Sequence, residues 1–227
     1  MKTLTIKTIT LLVIGLLSFS IMSFPKLPVE VPGLGGGDSA DSGSVDLPSA
    51  QANLEKTMGE ALAFLNQAEY HFQTALGRSE DAAAAQSRVK TLNSGGDVDL
   101  NAVLESTSSS RKAGAEAEAE AGTLSAEAKK EYAKGLLPYA QGVALTSKVS
   151  KQAKTWMDAA QGELKSIKNP MKLNKLRKSL AGGLKIAKAI PNFLKTLGTS
   201  SKGVFSFAKK QKLDTKKAEK SMPEDEF

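Results

Sequence analysis

The chain has 227 residues, a net charge of +7, one histidine and no cysteine. The missing cysteines exclude disulfides, thiol nucleophiles and cysteine-ligated metals, and a single imidazole cannot supply a zinc site of the usual kind. We therefore predict a non-enzymatic protein with no cofactor, no metal and no small-molecule substrate.

Residues 1–23 have the features of a secretory signal peptide. Lys2 and Lys7 precede an almost wholly apolar stretch from Thr8 to Met22, and small serines follow. The apolar stretch is shorter than the roughly 20 residues that a spanning helix prefers, which favours cleavage over retention. The sequence thus predicts an exported protein, periplasmic or secreted, with an N-terminal membrane anchor as the alternative if the segment is not cleaved.

Residues 24–50 form a predicted flexible linker. The segment carries four prolines and the glycine-rich run from Gly33 to Gly37, and it shows no helical or strand periodicity. No Gly-Lys-Ser/Thr follows the glycines, so the run does not complete a phosphate-binding loop.

The region 51–168 is predicted to be an alanine-rich helical bundle. Its first helix carries apolar residues at steps of mostly three and four, typical of one helix face: Leu54, Met58, Leu62, Leu65, Phe72 and Leu76. The predicted helical segments run from about 49 to 76, from 79 to 92, from about 97 to 134 with a plausible break near 107–114, and from about 138 to 168. Gly135 and Pro138 predict a kink or turn before the last of these segments.

A basic amphipathic helical region is predicted over 170–212, introduced by Asn169 and Pro170. Gly182, Gly183 and Pro191 are expected to bend or divide its first helix, and a short last helix is expected at 202–212. Residues 213–227 are predicted to be a disordered charged tail. No segment alternates as a strand would, so the fold class is all-α: an elongated antiparallel helical hairpin or bundle after the signal peptide and linker.

Three features of the sequence are candidate chemical sites. His71 is interpreted as a partly exposed structural residue, because no second base or nucleophile accompanies it in a recognisable pattern. Trp156 is interpreted as a core residue. The carboxylates Glu116, Glu120, Glu127 and Glu131 have helical spacing and are interpreted as a solvated helix face, with a cation or ligand site as the alternative.

Charge is distributed unevenly along the chain. Residues 24–144 carry ten Lys/Arg and seventeen Asp/Glu, whereas residues 145–220 carry nineteen and four. Such a division predicts two electrostatically different surfaces, or one half that neutralises the other.

The basic region combines an apolar stripe with lysines at heptad spacing, so it is the candidate partner or membrane face. Its apolar members are Leu173, Leu176, Leu180, Leu184, Ile190, Phe193, Leu194 and Leu197, and its lysines are Lys178, Lys185, Lys188, Lys195, Lys202 and Lys209. The residues also fit packing within the fold, with the lysines as a solvated surface. Nucleic acid is a poorer partner, because neither aromatic interleaving nor a base-reading motif is present.

We therefore predict a protein that acts by association through its amphipathic helices, with itself, another envelope protein or an anionic surface. One alternative is a membrane-active protein whose residues 171–212 insert into anionic lipid. The other is a carboxylate-lined ligand or cation binder.

Overall fold

A computed structural model describes residues 46–223, and this part of the chain consists of α-helices and their connections, with no strand. The signal segment and most of the linker lie outside the described residues. The helices are α1 (Leu47–Ala75), α2 (Ser79–Asn93), α3 (Leu100–Glu120), α4 (Ala126–Ser166), α5 (Pro170–Ser179), α6 (Ala181–Lys210) and α7 (Lys216–Glu219). The prediction of an all-α helical bundle is confirmed.

Helices α1 and α4 pack along each other in opposite directions. Phe72, near the end of α1, stacks on Tyr132 near the start of α4, with ring centroids 4.4 Å apart. At the other end, the indole Nε1 of Trp156 donates a hydrogen bond to the backbone carbonyl of Leu47. Trp156 is 2% exposed, so its interpretation as a core residue is confirmed.

Helix α6 completes the core and runs opposite to α4. Tyr132 packs against Phe207 with ring centroids 5.1 Å apart, and the hydroxyl of Tyr139 hydrogen-bonds the Leu197 carbonyl and Ser201. The basic region predicted as a separate segment is therefore built around the same hydrophobic core as α1 and α4.

Helix α2 packs against α1, and α3 packs against both α6 and α1. The Arg88 guanidinium of α2 and the Thr107 hydroxyl of α3 both hydrogen-bond the side-chain amide of Asn66. Thr107 lies beside Asn66, and Arg111, further along α3, pairs with Glu69, further along α1. The two helices therefore run in the same direction.

Several predicted boundaries are wrong. The third segment does not reach residue 134, because α3 ends at Glu120 and α4 begins after Ser125, whose hydroxyl caps it by accepting the Ala128 N–H. No break occurs near 107–114. Helix α4 continues through Pro138, and α6 continues from Ala181 through Pro191 to Lys210 without the predicted separate helix at 202–212.

Burial on both sides of Pro191 explains why α6 is not divided. A proline in a helix interior costs about 3 kcal/mol. The neighbouring Ile190 and Phe193 are 1% and 2% exposed, and burying each such side chain contributes about 1.5–3 kcal/mol. Packing therefore outweighs the lost hydrogen bond.

The segment predicted as a disordered tail contains a short helix as far as the structure describes it. Ala218 of α7 is 3% exposed and belongs to the hydrophobic core, and Glu219 forms an ion pair with Lys209 of α6.

Candidate functional site: a basic surface and a buried charge cluster

The apolar stripe of the predicted face is divided between interior and surface. Leu180, Ile190, Phe193 and Leu197 are each at most 2% exposed and belong to the hydrophobic core. Leu176, Leu184 and Leu194 are half-buried against that core, and Leu173 is half-buried. What α6 presents to solvent is its lysine side and not its leucine side.

All six lysines of the predicted face are exposed: Lys178, Lys185, Lys188, Lys195, Lys202 and Lys209. They belong to a longer set of thirteen Lys/Arg residues between 164 and 213, a stretch without a single Asp or Glu. Every one of the thirteen is exposed. We call this set the basic surface: Lys165, Lys168, Lys172, Lys175, Arg177, Lys178, Lys185, Lys188, Lys195, Lys202, Lys209, Lys210 and Lys212.

The basic surface is almost free of neutralising partners. Within residues 46–223, only Lys209 of the thirteen forms an ion pair, with Nζ 2.6 Å from Glu219 Oε1. As far as the structure describes the acidic first half of the chain, that half forms no ion pair with these cations. Since α6 rises about 1.5 Å per residue, its lysines from 185 to 209 mark a ridge about 36 Å long.

Helix α5 is the least attached part of the basic surface. It has ten residues, none of which is buried, and four of them are cationic. Asn169 caps it by accepting the Met171 and Lys172 N–H groups at 2.9 and 3.3 Å, as the Asn-Pro pair predicts. The side chain of Met171 is 73% exposed and is the one large apolar residue classed as exposed in the described part of the chain.

A second charged feature, which sequence reasoning missed, lies inside the bundle. Arg111 of α3 is 1% exposed and binds two carboxylates, with Nη1 2.7 Å from Glu69 Oε1 and Nη2 2.6 Å from Glu118 Oε1. The Tyr132 hydroxyl donates to the same Glu118 oxygen at 2.8 Å. The guanidinium also lies over the Phe72 ring, 5.5 Å from its centroid. Glu69, Arg111, Glu118 and Tyr132 are called the buried charge cluster below.

Burial and mutual attraction act in opposite directions on the pKa values of this cluster. Burial raises the pKa of Glu118, and Arg111 and Tyr132 offset only part of that effect. Burial by itself would lower the pKa of Arg111, but Glu69 and Glu118 raise it above the usual value. Burial and the neighbouring Glu118 both raise the pKa of Tyr132 well above 10. Arg111 is therefore a permanent cation that the two glutamates share.

The glutamate row does not form the predicted single face. Glu116 and Glu120 belong to α3, whereas Glu127 and Glu131 belong to α4 beyond the break at 121–125. Among residues 46–223, no three Asp, Glu or His side chains are grouped as a metal site requires. The expectation of one continuous row is wrong, because it placed a helix across the connection.

His71 is half-buried on α1 and pairs with one of those glutamates. Its Nδ1 lies 2.7 Å from Glu131 Oε1, while Lys134 Nζ lies 2.7 Å from Oε2. Burial would raise the pKa of Glu131, but the hydrogen bonds from Lys134 and His71 hold it below the usual value. The geometry ties α1 to α4 and matches the structural role expected for His71.

None of the described helices combines the length and apolar character needed to cross a membrane. No family model, curated protein or solved structure is detectably similar to this chain.

Proposed function

We propose that this protein is a non-enzymatic, exported helical bundle that binds an anionic partner through the basic surface. The observation that carries the proposal is the set of thirteen exposed cations in a stretch without acids, of which one forms an ion pair inside the described part of the molecule. Unpaired surface cations attract an anionic partner and accelerate its encounter.

The composition of the surface favours general charge attraction over recognition of a particular phosphate. Twelve of the thirteen cations are lysines and only Arg177 is an arginine. Lysine acts as a compact point charge, whereas arginine provides the planar fork suited to bidentate recognition. We therefore expect binding to follow the charge density of the partner and to weaken with salt.

The side chains that could take part in catalysis, those of the buried charge cluster and His71, support a structural protein and not a catalyst. The buried charge cluster is closed from solvent, with Arg111 and Glu118 only 1% and 4% exposed. The imidazole of His71 is paired with the carboxylate of Glu131 in a contact that joins α1 to α4. Export is supported by the signal-like segment 1–23, which lies outside the described residues.

A second copy of the chain is the alternative anionic partner. Helix α3 presents exposed carboxylates at Glu105, Glu116 and Glu120, which the basic surface of the same molecule does not contact as ion pairs in the described part. Such a contact would join unlike surfaces of two copies. It predicts a salt-sensitive increase in mass with concentration, measurable by analytical ultracentrifugation.

Insertion of residues 171–212 as one unit is less well supported. It requires Ile190, Phe193 and Leu197 to leave the core, each at a cost of about 1.5–3 kcal/mol. The lysine side of α6 can meet an anionic surface with no such cost.

The test compares two triple charge reversals that change the net charge equally. Lys188→Glu/Lys195→Glu/Lys202→Glu alters the ridge of α6, and Lys112→Glu/Lys151→Glu/Lys154→Glu alters exposed lysines elsewhere. The probes are phosphatidylglycerol vesicles and dextran sulfate, with phosphatidylcholine vesicles and neutral dextran as blanks. Residues 24–227 should bind both polyanions in about 50 mM salt and lose them in 500 mM salt.

The ridge variant should bind at least about tenfold more weakly than the control variant, because each lysine near an anionic surface contributes about 1 kcal/mol. Equal weakening in both variants would mean that binding depends only on the net charge of the protein, and it would contradict the assignment of binding to the basic surface. A protein that binds neither polyanion in low salt would contradict the proposed function.

A further inference from the structure

We infer that α5 is a lipid-contacting element, which docks the protein flat on an anionic bilayer with the Met171 side chain inserted among the headgroups. The inference rests on the proposed function and names its partner. It assigns the apolar insertion to α5 alone and leaves α6 in the bundle, with the α6 lysines attracted to the headgroups by charge only.

The arrangement of residues on α5 singles out one side of it. Met171, Lys175 and Lys178 are spaced four and three residues apart, so they lie along one face of the helix. All three are exposed, and the opposite face holds the half-buried Leu173 and Leu176. An exposed apolar side chain therefore lies beside lysines on the side of α5 that faces solvent.

A bilayer interface suits this combination better than any other polyanion. It offers negative headgroups at the level of the ammonium groups and an apolar layer just beneath, and lysine stems can cross between the two. A polysaccharide sulfate or an acidic protein segment offers charge but no apolar layer for Met171. Helices of this kind lie in the plane of the interface and do not span it.

The attachment of α5 allows this contact without unfolding. The helix has no buried residue and packs against the core only through the half-buried Leu176, so a change in its tilt exposes little of the core. By contrast, Leu180 immediately after it is 1% exposed, and Gly183 lies where a Cβ would come within 2.7 Å of the Trp156 ring. Leu180 thus marks the point at which the chain rejoins the rigid bundle.

The experiment uses the absence of cysteine to place one fluorescent label at a time. Met171→Cys and Ser206→Cys variants of the full mature chain are labelled with an environment-sensitive dye. Ser206 is exposed on the lysine side of α6, so it provides the matched position. Trp156, the single tryptophan, reports whether the bundle stays closed.

With phosphatidylglycerol vesicles, the dye at position 171 should shift to the blue while the dye at 206 and the Trp156 emission stay unchanged. Dextran sulfate should bind without shifting either dye. The Met171→Gln variant should bind vesicles about fivefold to tenfold more weakly and dextran sulfate equally well, as the loss of one partly inserted apolar side chain implies. Its thermal midpoint should equal that of the parent, because α5 contributes no buried residue.

Vesicle binding without a shift at 171 and without an effect of Met171→Gln would overturn the inference and leave the proposed function standing. A shift at 206 together with a change in Trp156 emission would overturn it in favour of insertion of α6. A shift at 171 with dextran sulfate would show that charge contact alone moves the dye, and would also overturn it. Failure to bind either polyanion would remove both proposals.

Discussion

Arg111 of α3 and Glu69 of α1 form an ion pair 2.7 Å long, with side chains only 1% and 2% exposed, in the interior of an otherwise alanine-rich bundle. The same guanidinium binds Glu118, so one cation holds two carboxylates. The pair orients α3 against α1, and it leaves each partner dependent on the other for compensation of its buried charge.

Removing the cation should therefore be severely destabilising. We expect Arg111→Met to lower the free energy of unfolding by about 3–5 kcal/mol, because Glu69 and Glu118 remain buried without a counterion. Urea unfolding followed by circular dichroism measures the change. The neighbouring Lys112 is exposed, and Lys112→Met should stay within about 0.5 kcal/mol of the parent. A similar small effect of Arg111→Met would mean that the cluster admits water.

Because α1 and α4 approach closely at Gly135, a larger side chain at this position should destabilise the fold. A Cβ at this position would lie 2.5 Å from Phe72 Cε1 and 3.0 Å from the Ala68 carbonyl oxygen. We expect Gly135→Ala to cost about 1–3 kcal/mol through overpacking. Gly162 lies in the same helix with nothing within 4 Å, so Gly162→Ala should stabilise by about 0.5–1 kcal/mol. Thermal unfolding of both variants separates packing from helix propensity, and equal shifts would contradict the contact.

Acid stability should depend on Glu131, whose carboxylate is contacted by Lys134 and His71. Because the pKa of Glu131 is held below its usual value in the folded protein, this carboxylate contributes stability above about pH 4.5 that is lost as the pH falls through its folded pKa. Glu131→Gln removes the contribution, so its urea unfolding midpoint should lie below that of the parent at pH 6, and the gap should narrow as the pH falls below about 4.5. Urea midpoints measured from pH 6 into the acid range follow this gap, and a gap that does not narrow at any pH below about 4.5 would contradict the assignment.

The stripe of the basic region should behave as core at Leu180 and as surface at Leu173. Leu180→Asp places a charge at a position that is 1% exposed and should cost at least about 2–5 kcal/mol, enough to unfold a marginal bundle. Leu173→Asp changes a half-buried residue of α5 and should leave the fold intact. Near-ultraviolet circular dichroism and the Trp156 emission measure folding of each variant. If both variants fold like the parent, Leu180 does not belong to the core.

The apolar periodicity of the sequence predicted the fold class and much of the core. Leu54, Met58, Leu62, Leu65 and Phe72 are all at most 2% exposed, because steps of three and four residues place side chains on one side of a helix. The sequence also predicted the start of α5, since Asn169 before Pro170 forms a helix cap through local contacts alone. Signals of this kind depend on neighbours in sequence.

Helix continuation that depends on tertiary packing could not be predicted from the sequence. Pro138 predicted a kink or turn and Pro191 a bend or division, but both helices continue because buried residues flank each proline, such as Tyr139 after Pro138 and Ile190 before Pro191. The buried charge cluster left no sequence signal either. Glu69 and Arg111 stand 42 residues apart, and nothing in their local sequence distinguishes them from exposed charges on the same helices.

The long separation between α1 and α4 has a kinetic consequence. The hydrogen bond from Trp156 to Leu47 spans 109 residues, and the rings of Phe207 and Tyr132 that close the other end lie far apart in the chain as well. Most helical bundles fold fast because their contacts are local, and a high sequence separation of contacts slows the search. As the polypeptide emerges during synthesis, α1 and α2 can pair early, but the apolar side of α1 must wait for α4, which begins at Ala126, 51 residues after α1 ends at Ala75. The tryptophan environment should therefore be among the last signals to mature in a refolding time course, after most helical ellipticity has returned.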